Sequence, residues 1–285
     1  MNVSNISFCS SNPKLIPAFE SSYILFSALF LIYAIVYIII SIRTSNDSQI
    51  TAPGSSLSQI SFIVCLIVRG LGFLANGILI AKHISLKTIS LFTSGFPGYV
   101  TAVAYTFIFF FWCNLCAEVL SNDYKTFFFK TQKSLFLILS GLAIAFIVAM
   151  IIFFTENNEF GHTVEAIIAS LRDAVLSFYY FIYLIRIKKL FKTSCCDLTK
   201  QETRLYIICT LLALALFYRA ITIQVYTWYY SSRECSKEYL GNLIFDMLAT
   251  EVIPLFAIGI IRICGIAKDE EKPMNLDLIS TSDNI

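Results

Sequence analysis

Long apolar runs separated by short polar stretches dominate the hydrophobic pattern of this chain. Seven of the runs have about 20 residues or more, the length that an α-helix needs to cross a bilayer. They cover about 22–42, 59–81, 98–120, 134–154, 163–185, 205–228 and 240–263. The pattern predicts an all-α, seven-transmembrane helix bundle over residues 22–263, with tails at 1–21 and 264–285.

The composition supports a membrane protein. Hydrophobic residues make up 57% of the chain and charged residues 14%, whereas a soluble domain has roughly a quarter of its residues charged. Soluble enzymes, disordered chains and collagen-like chains are therefore excluded. A net charge of +2 gives no argument for nucleic acid as a partner. Residues 1–20 lack the uninterrupted apolar stretch of a signal peptide, so we expect the first run to be an uncleaved anchor.

The basic residues predict an orientation. With the N-terminus outside, thirteen lysines and arginines fall in cytoplasmic segments and five in exterior ones, which agrees with the positive-inside rule. The N-terminus is therefore predicted to be outer or luminal and the C-terminus cytoplasmic. Asn2 and Asn5 lie in sequons, which predicts a glycoprotein. Cys9 and Cys235 would share the exterior side, where a disulfide can form.

One cytoplasmic segment is strongly basic. The third inner loop, Arg186 to Arg204, carries six basic and two acidic residues. Such a segment sets membrane topology and contacts anionic lipid. A cytosolic protein, such as a G protein, is the alternative partner.

Several membrane chemistries lack their residues. The last run has no lysine for a retinal Schiff base, and His83 and His162, both in outer loops, are too few for a zinc hydrolase. The Gly-x-Gly-Asp signature of aspartyl proteases, P-loops and dinucleotide-binding glycine patterns are missing too. The Asp/Glu-Arg-Tyr and Asn-Pro-x-x-Tyr motifs of rhodopsin-like receptors are also absent. The sequence predicts no enzyme, no catalytic residue, no cofactor and no metal site.

Charges at membrane depth are the main candidates for a site. Six unpaired ions in a bilayer would cost on the order of 15–20 kcal/mol, so we expect them to pair or to line a polar cavity. Depth suggests Arg219 with Asp246, and Arg69 with Glu251. The interpretations left open are structural pairs, a polar ligand or ion site that opens outward, and a proton or solute path. The six candidate residues are Arg69, Arg172, Asp173, Arg219, Asp246 and Glu251.

Helical periodicity places polar residues on shared faces. On the last run, Asp246 and Glu251 are about 140° apart on an ideal α-helix, so one partner cannot easily serve both. On the fifth and sixth runs the polar positions recur at helical spacing and predict inward-facing stripes. These stripes are Ser170, Asp173, Ser177 and Tyr180 on the fifth run, and Arg219, Thr222 and Tyr226 on the sixth.

Two stretches, one in the third run and one in the last, carry recognisable motifs. The first is Tyr105-Thr106, followed by apolar residues and Trp112, and the second is Glu251-Val-Ile-Pro254 with a run to Arg262. They resemble the third span and the end of the last span of the plant tobamovirus multiplication protein family. The acid that directly follows the tryptophan in the family stands here only at Glu118. The similarity covers about 30 residues besides length and topology.

The resemblance implies seven helices with an outer N-terminus, and a receptor-like scaffold in place of a catalyst. The animal relatives of the family are lysosomal and receptor-like. We therefore predict a vacuolar, lysosomal or other endomembrane protein that signals through its basic inner loops, with the plasma membrane as the alternative location. The second functional hypothesis is a G-protein-coupled-type receptor for a small polar ligand, and the third is a solute or proton transporter. The ligand is not predicted.

Overall fold

The computed structural model describes residues 13–45, 55–82, 91–119, 122–155, 158–193, 200–228 and 237–259. Within these ranges the chain is helical and contains no strand. A short 3-10 turn, Pro13–Leu15, leads into the first helix. The helices are α1 (Ile16–Ser45), α2 (Ser55–Ala81), α3 (Phe96–Val119), α4 (Asn122–Thr155), α5 (Asn158–Thr193), α6 (Lys200–Trp228) and α7, which starts as Lys237–Met247 and resumes at 253–259.

Seven of the described helices are long and apolar enough to cross a membrane, which confirms the prediction of an all-α, multi-pass membrane protein. Several helices are longer than the apolar runs that predicted them. α4 begins at Asn122 and α5 continues to Thr193, because a helix that satisfies its own backbone hydrogen bonds does not have to end where its apolar residues end.

The helices pack as a ring of sequential neighbours. α1 packs on α2, α2 on α3, α4 on α5, and α5 on α6, while α3 also contacts α4 and α5. α1 closes the ring on α7, where the Tyr33 ring stacks on Phe256 with centroids 4.0 Å apart. The Tyr33 hydroxyl also donates a hydrogen bond to the Leu255 carbonyl, 3.3 Å away. Early and late parts of the sequence are thus joined directly.

The side chains are distributed as a lipid solvent requires. Large apolar side chains such as Leu25, Ile32 and Ile185 are more than 60% exposed on the outside of the bundle. Polar and charged side chains such as Arg172 and Asp173 are at most 2% exposed inside it. The outer surface is therefore apolar, unlike that of a soluble protein, because lipid chains solvate apolar surface and do not solvate ions.

Two π-helical turns interrupt the regular helices. Leu91–Gly95 precedes α3, and Leu248–Val252 lies within α7. In the second turn the Ile253 N–H bonds to the Leu248 carbonyl, five residues back. A π turn contains one more residue than an α turn and so changes the direction of the side chains around it.

Gly72 lets the first π turn approach α2 closely. A Cβ atom at Gly72 would lie 2.6 Å from the Thr93 carbonyl oxygen and 2.9 Å from Pro97 Cγ. Both neighbours are rigid, so only glycine fits there. This agrees with the use of small residues at helix contacts in membranes.

We expect Gly72→Ala to destabilise the bundle by about 1–3 kcal/mol, because the added methyl must push the backbone of the π turn away. Gly141→Ala is the matched control, since a Cβ at Gly141 on α4 meets no atom within 4 Å. It should be neutral or slightly stabilising, since alanine favours a helix over glycine by about 0.5–1 kcal/mol. Unfolding of the two purified variants in an SDS titration checks this, and equal stabilities would contradict the close contact.

Candidate functional site

Arg69 and Glu251 form a two-pronged ion pair in the interior. Arg69 lies near the middle of α2, and Glu251 lies in the π turn of α7. Arg69 Nε donates to Glu251 Oε2, and Arg69 Nη2 donates to Oε1. Arg69 Nη1 donates to the Ser94 carbonyl at 3.2 Å. The predicted pairing of Arg69 with Glu251 is confirmed, and both π turns supply an oxygen to the same guanidinium.

Arg172, Asp173 and Arg219 continue this arrangement across α5 and α6. Arg172 Nε donates to Asp173 Oδ1 at 2.8 Å. Arg219 Nε lies 3.2 Å from Asp173 Oδ2, and Arg219 Nη1 lies 3.7 Å from Glu251 Oε1. A continuous chain of opposite charges therefore runs from α5 through α6 and α7 to α2.

We call these five residues the ionic network: Arg172, Asp173, Arg219, Glu251 and Arg69. None of them is more than 8% exposed. Three guanidinium groups and two carboxylates give the network a formal charge of +1. Because isolated charges are costly at this depth, the network ties its four helices to one another.

The predicted pair of Arg219 with Asp246 is wrong. Arg219 points to Asp173 and Glu251, while Asp246 accepts a hydrogen bond from Thr222 Oγ1 at 2.9 Å. The reason is the π turn. The π turn Leu248–Val252 contains one more residue than an α turn, so the spacing of an ideal α-helix does not describe where Glu251 lies relative to Asp246. Glu251 can therefore reach the arginine that depth alone assigned to Asp246.

Two glycines and one further carboxylate belong to the site and were not predicted. A Cβ atom at Gly98 would lie 3.1 Å from Arg219 Nη2 and 3.6 Å from both terminal nitrogens of Arg172. A Cβ at Gly95 would lie 2.9 Å from Glu165 Oε1. Glu165 is 8% exposed and stands seven residues before Arg172, on the same face of α5. That spacing was the available sequence signal.

The predicted polar stripe of α5 does face other helices. Ser170 and Ser177 each donate a hydrogen bond of 2.7 Å to α6, to the carbonyls of Ala220 and Ala213. Tyr180 donates to the Tyr105 carbonyl of α3 at 2.8 Å. Such interhelical bonds are typical of membrane bundles and hold α5 in register beside the ionic network.

The stripe of α6 faces α7. Thr222 bonds to Asp246, and the Tyr226 ring meets the Tyr239 ring edge-on with centroids 5.6 Å apart. The polar faces of α5 and α6 are therefore both turned into the bundle, as their periodicity predicted.

The described residues of the two stretches that resemble the tobamovirus multiplication family lie in the interior. Tyr105, Thr106 and Trp112 are at most 8% exposed, and Pro254 is buried directly after the π turn of α7. Thr106 bonds to the Ala102 carbonyl of its own helix. Arg262 lies outside the described residues.

Other predicted features cannot be placed. Asn2, Asn5, Cys9 and Cys235 lie outside the described residues, as does part of the basic stretch Arg186 to Arg204. Within that stretch Arg186 is exposed, and its guanidinium lies over the Phe127 ring of α4, 4.6 Å from the centroid.

In the part of the chain that the structure describes, no cluster of three His, Cys, Asp or Glu side chains is placed to hold a metal ion. The chain matches no protein-family model, no curated protein and no solved structure. The fold defines its class, a multi-pass membrane protein with seven apolar helices.

We expect Glu251→Gln to destabilise the protein by about 3–5 kcal/mol, because it leaves Arg69 buried without its counter-ion. Asp246→Asn is the matched control and should cost about 1 kcal/mol or less, since an amide oxygen still accepts the Thr222 hydrogen bond. Unfolding free energies in SDS titrations measure both. If the two variants lose the same stability, Glu251 is not the buried counter-ion of Arg69.

Proposed function

We propose that this protein is a non-enzymatic, receptor-like membrane protein of the tobamovirus multiplication type. In this proposal it acts as a scaffold or signalling component through its basic inner loops, in a vacuolar, lysosomal or other endomembrane. The observation that carries the proposal is the ionic network, because one set of contacts fixes the relative positions of four helices.

A network of this kind suits a two-state device. The Arg69–Glu251 pair joins α2 to α7, and Glu251 lies in a π turn that Pro254 follows. π turns and prolines are points where a helix changes direction easily. Opening the pair would release α7 from α2, and packed helices respond to such a change by moving between discrete arrangements.

The placement of the family motifs supports the family part of the proposal. If the motif residues faced lipid, their similarity to the family could be a chance match between two apolar sequences. Here the Tyr105 side chain is 1% exposed, the Trp112 ring meets the Tyr180 ring of α5 with centroids 6.2 Å apart, and the Glu251 carboxylate binds Arg69. The motifs thus stand at contacts between helices, where substitutions are costly.

A distance measurement between helix ends tests the switch. Fluorophores are introduced by genetic code expansion at Leu57 on α2 and Ile207 on α6, both exposed near the end of the bundle at which these helices begin. Single-molecule energy transfer in nanodiscs is then compared between the wild type and the double variant Arg69→Met with Glu251→Met. Removing both ions together avoids leaving one of them buried alone.

We expect one narrow distance population in the wild type and a second, longer one in the double variant, because Glu251, which contacts both Arg69 of α2 and Arg219 of α6, no longer links the two labelled helices. Asp246→Asn should keep the wild-type distribution. A folded, monodisperse double variant with unchanged distances would show that the network is only a structural clamp, which contradicts the switching proposal.

The predicted orientation and location are tested in cells. Full-length protein should lose mass on treatment with an N-glycosidase, and Asn2→Gln combined with Asn5→Gln should abolish that loss, because only a luminal N-terminus is glycosylated. A C-terminal fluorescent tag should coincide with vacuolar or lysosomal markers. A protein that resists the glycosidase or remains at the cell surface would contradict these parts of the proposal.

A further inference from the structure

Exposed basic side chains collect at the end of the bundle where α4 begins and α5 ends. Lys130 and Lys133 on α4 and Arg186 on α5 are all exposed there. Among the side chains that the structure describes, none of these three cations forms an ion pair, and the acidic residues lie in the interior or near the opposite end. This end, which the sequence predicts to be cytoplasmic, therefore has a basic surface without a counter-ion from the described part of the chain.

Contacts between α4 and α5 bring cations of the two helices together. The Phe128 ring lies beside the Tyr183 ring, with centroids 5.7 Å apart. The guanidinium of Arg186 lies over the Phe127 ring, 4.6 Å from its centroid. Lys130 follows Phe127 by three residues, a spacing that makes two side chains neighbours on a helix surface. Arg186 and Lys130 therefore border the same ring.

The Phe127 ring orients the Arg186 guanidinium and leaves its donors free. A cation is attracted to the face of an aromatic ring by the negative charge of that face. The N–H groups of a guanidinium point outward in its own plane, so contact with the ring occupies none of them. Arg186 thus presents a set of oriented donors, and arginine uses such donors to bind phosphate through paired hydrogen bonds.

The three positive charges also repel one another. Lys130 and Lys133 are three residues apart on α4, where side chains of a helix come close, so their like charges are unfavourable. Arg186 adds a third charge beside Lys130, because both side chains border Phe127. An anion in contact with all three cations would remove this repulsion.

The depth of the cations favours a lipid over a soluble anion. Arg186 is the last residue of its apolar span, and the apolar run 134–154 begins directly after Lys133. The cations therefore lie at the level of the lipid headgroups. Leu137 stands seven residues after Lys130 on the same face of α4, about 10 Å deeper, and is 60% exposed. The cations can contact a headgroup while its acyl chains lie on such apolar side chains.

The number of cations selects the kind of headgroup. A phosphodiester and a phosphomonoester together carry about three negative charges at pH 7, which three cations balance. Phosphatidylinositol monophosphate contains both groups. Phosphatidylserine has no second phosphate, and phosphatidylcholine has no net charge, so both match the site less well.

We propose that Lys130, Lys133 and Arg186 form, on the outer surface of the contact between α4 and α5, a binding site for the headgroup of phosphatidylinositol monophosphate. The basic segment Arg186 to Arg204 attracts anionic lipid in general, whereas this site takes one lipid molecule and includes residues of α4. The inference goes beyond the proposed function, because it depends on neither the ionic network nor the switch.

Native mass spectrometry of the purified full chain, titrated with dioleoyl phosphatidylinositol monophosphate in detergent micelles, tests the site. We expect the first lipid to bind more tightly than any further one. Phosphatidylserine should bind more weakly, and phosphatidylcholine more weakly still. The water-soluble headgroup alone, glycerophosphoinositol phosphate, should bind less tightly than the whole lipid, because it has no acyl chains to place on the apolar surface.

Variants locate the binding. Arg186→Gln and Lys130→Gln should each weaken the tight binding about fivefold, the contribution of one basic residue near an anionic lipid. Lys188→Gln is the matched control, since Lys188 is an exposed cation at the same end of α5 but lies about 200° around the helix from Arg186. Phe127→Leu should also weaken binding, because it removes the ring that orients Arg186 and leaves every charge in place. All variants are compared as folded, monodisperse protein.

Four results would overturn the inference. The first is equal affinity for phosphatidylinositol monophosphate and phosphatidylcholine, and the second is wild-type binding in both Arg186→Gln and Lys130→Gln. The third is an equal loss in Arg186→Gln and Lys188→Gln, which would show a diffuse attraction to all the basic residues. The fourth is binding of the headgroup alone as tight as that of the whole lipid, which would show a site for a soluble phosphate.

Discussion

An ion that is removed from water must find a counter-ion, and this constraint organises the interior of the bundle. Three arginines and two acids from α2, α5, α6 and α7 satisfy it together in the ionic network. Hydrophobic contact does not hold helices together in lipid as it does in water, because lipid chains are as apolar as the side chains they replace. Specific polar contacts therefore determine which helices are neighbours and in which register.

The irregular elements are placed where the network needs them. Both π turns supply acceptors to Arg69, namely the Ser94 carbonyl from the first and the two carboxylate oxygens of Glu251 from the second. Three glycines leave room for neighbouring groups. Gly72 makes space for the backbone of the first π turn, Gly95 for the Glu165 carboxylate, and Gly98 for the guanidinium groups of Arg172 and Arg219. A regular helix with larger residues at these positions could not bring the charged groups so close.

The sequence contained most of the fold and part of the site. The length and composition of the apolar runs predicted the seven helices, since a helix needs about 20 apolar residues to cross the bilayer. The depth of each charged residue along its predicted span correctly paired Arg69 with Glu251. The same criterion gave the wrong partner for Arg219, because the π turn in α7 changes the helical phase and is not visible in the hydrophobic pattern. Gly98 was missed for a related reason, since a glycine reveals its role only through what packs against it.

The ion pair between Arg69 and Glu251 has a consequence for how the chain is made. Its two residues are 182 positions apart in the sequence. At a translation rate of about 5–20 residues per second, Glu251 is synthesised roughly 10–35 seconds after Arg69, the charge on α2 that it neutralises. During that interval the arginine must stay at the insertion machinery, reach toward the headgroups, or use an earlier helix as a temporary partner. Biogenesis therefore has a late committing step, at which the last helix arrives and completes the assembly.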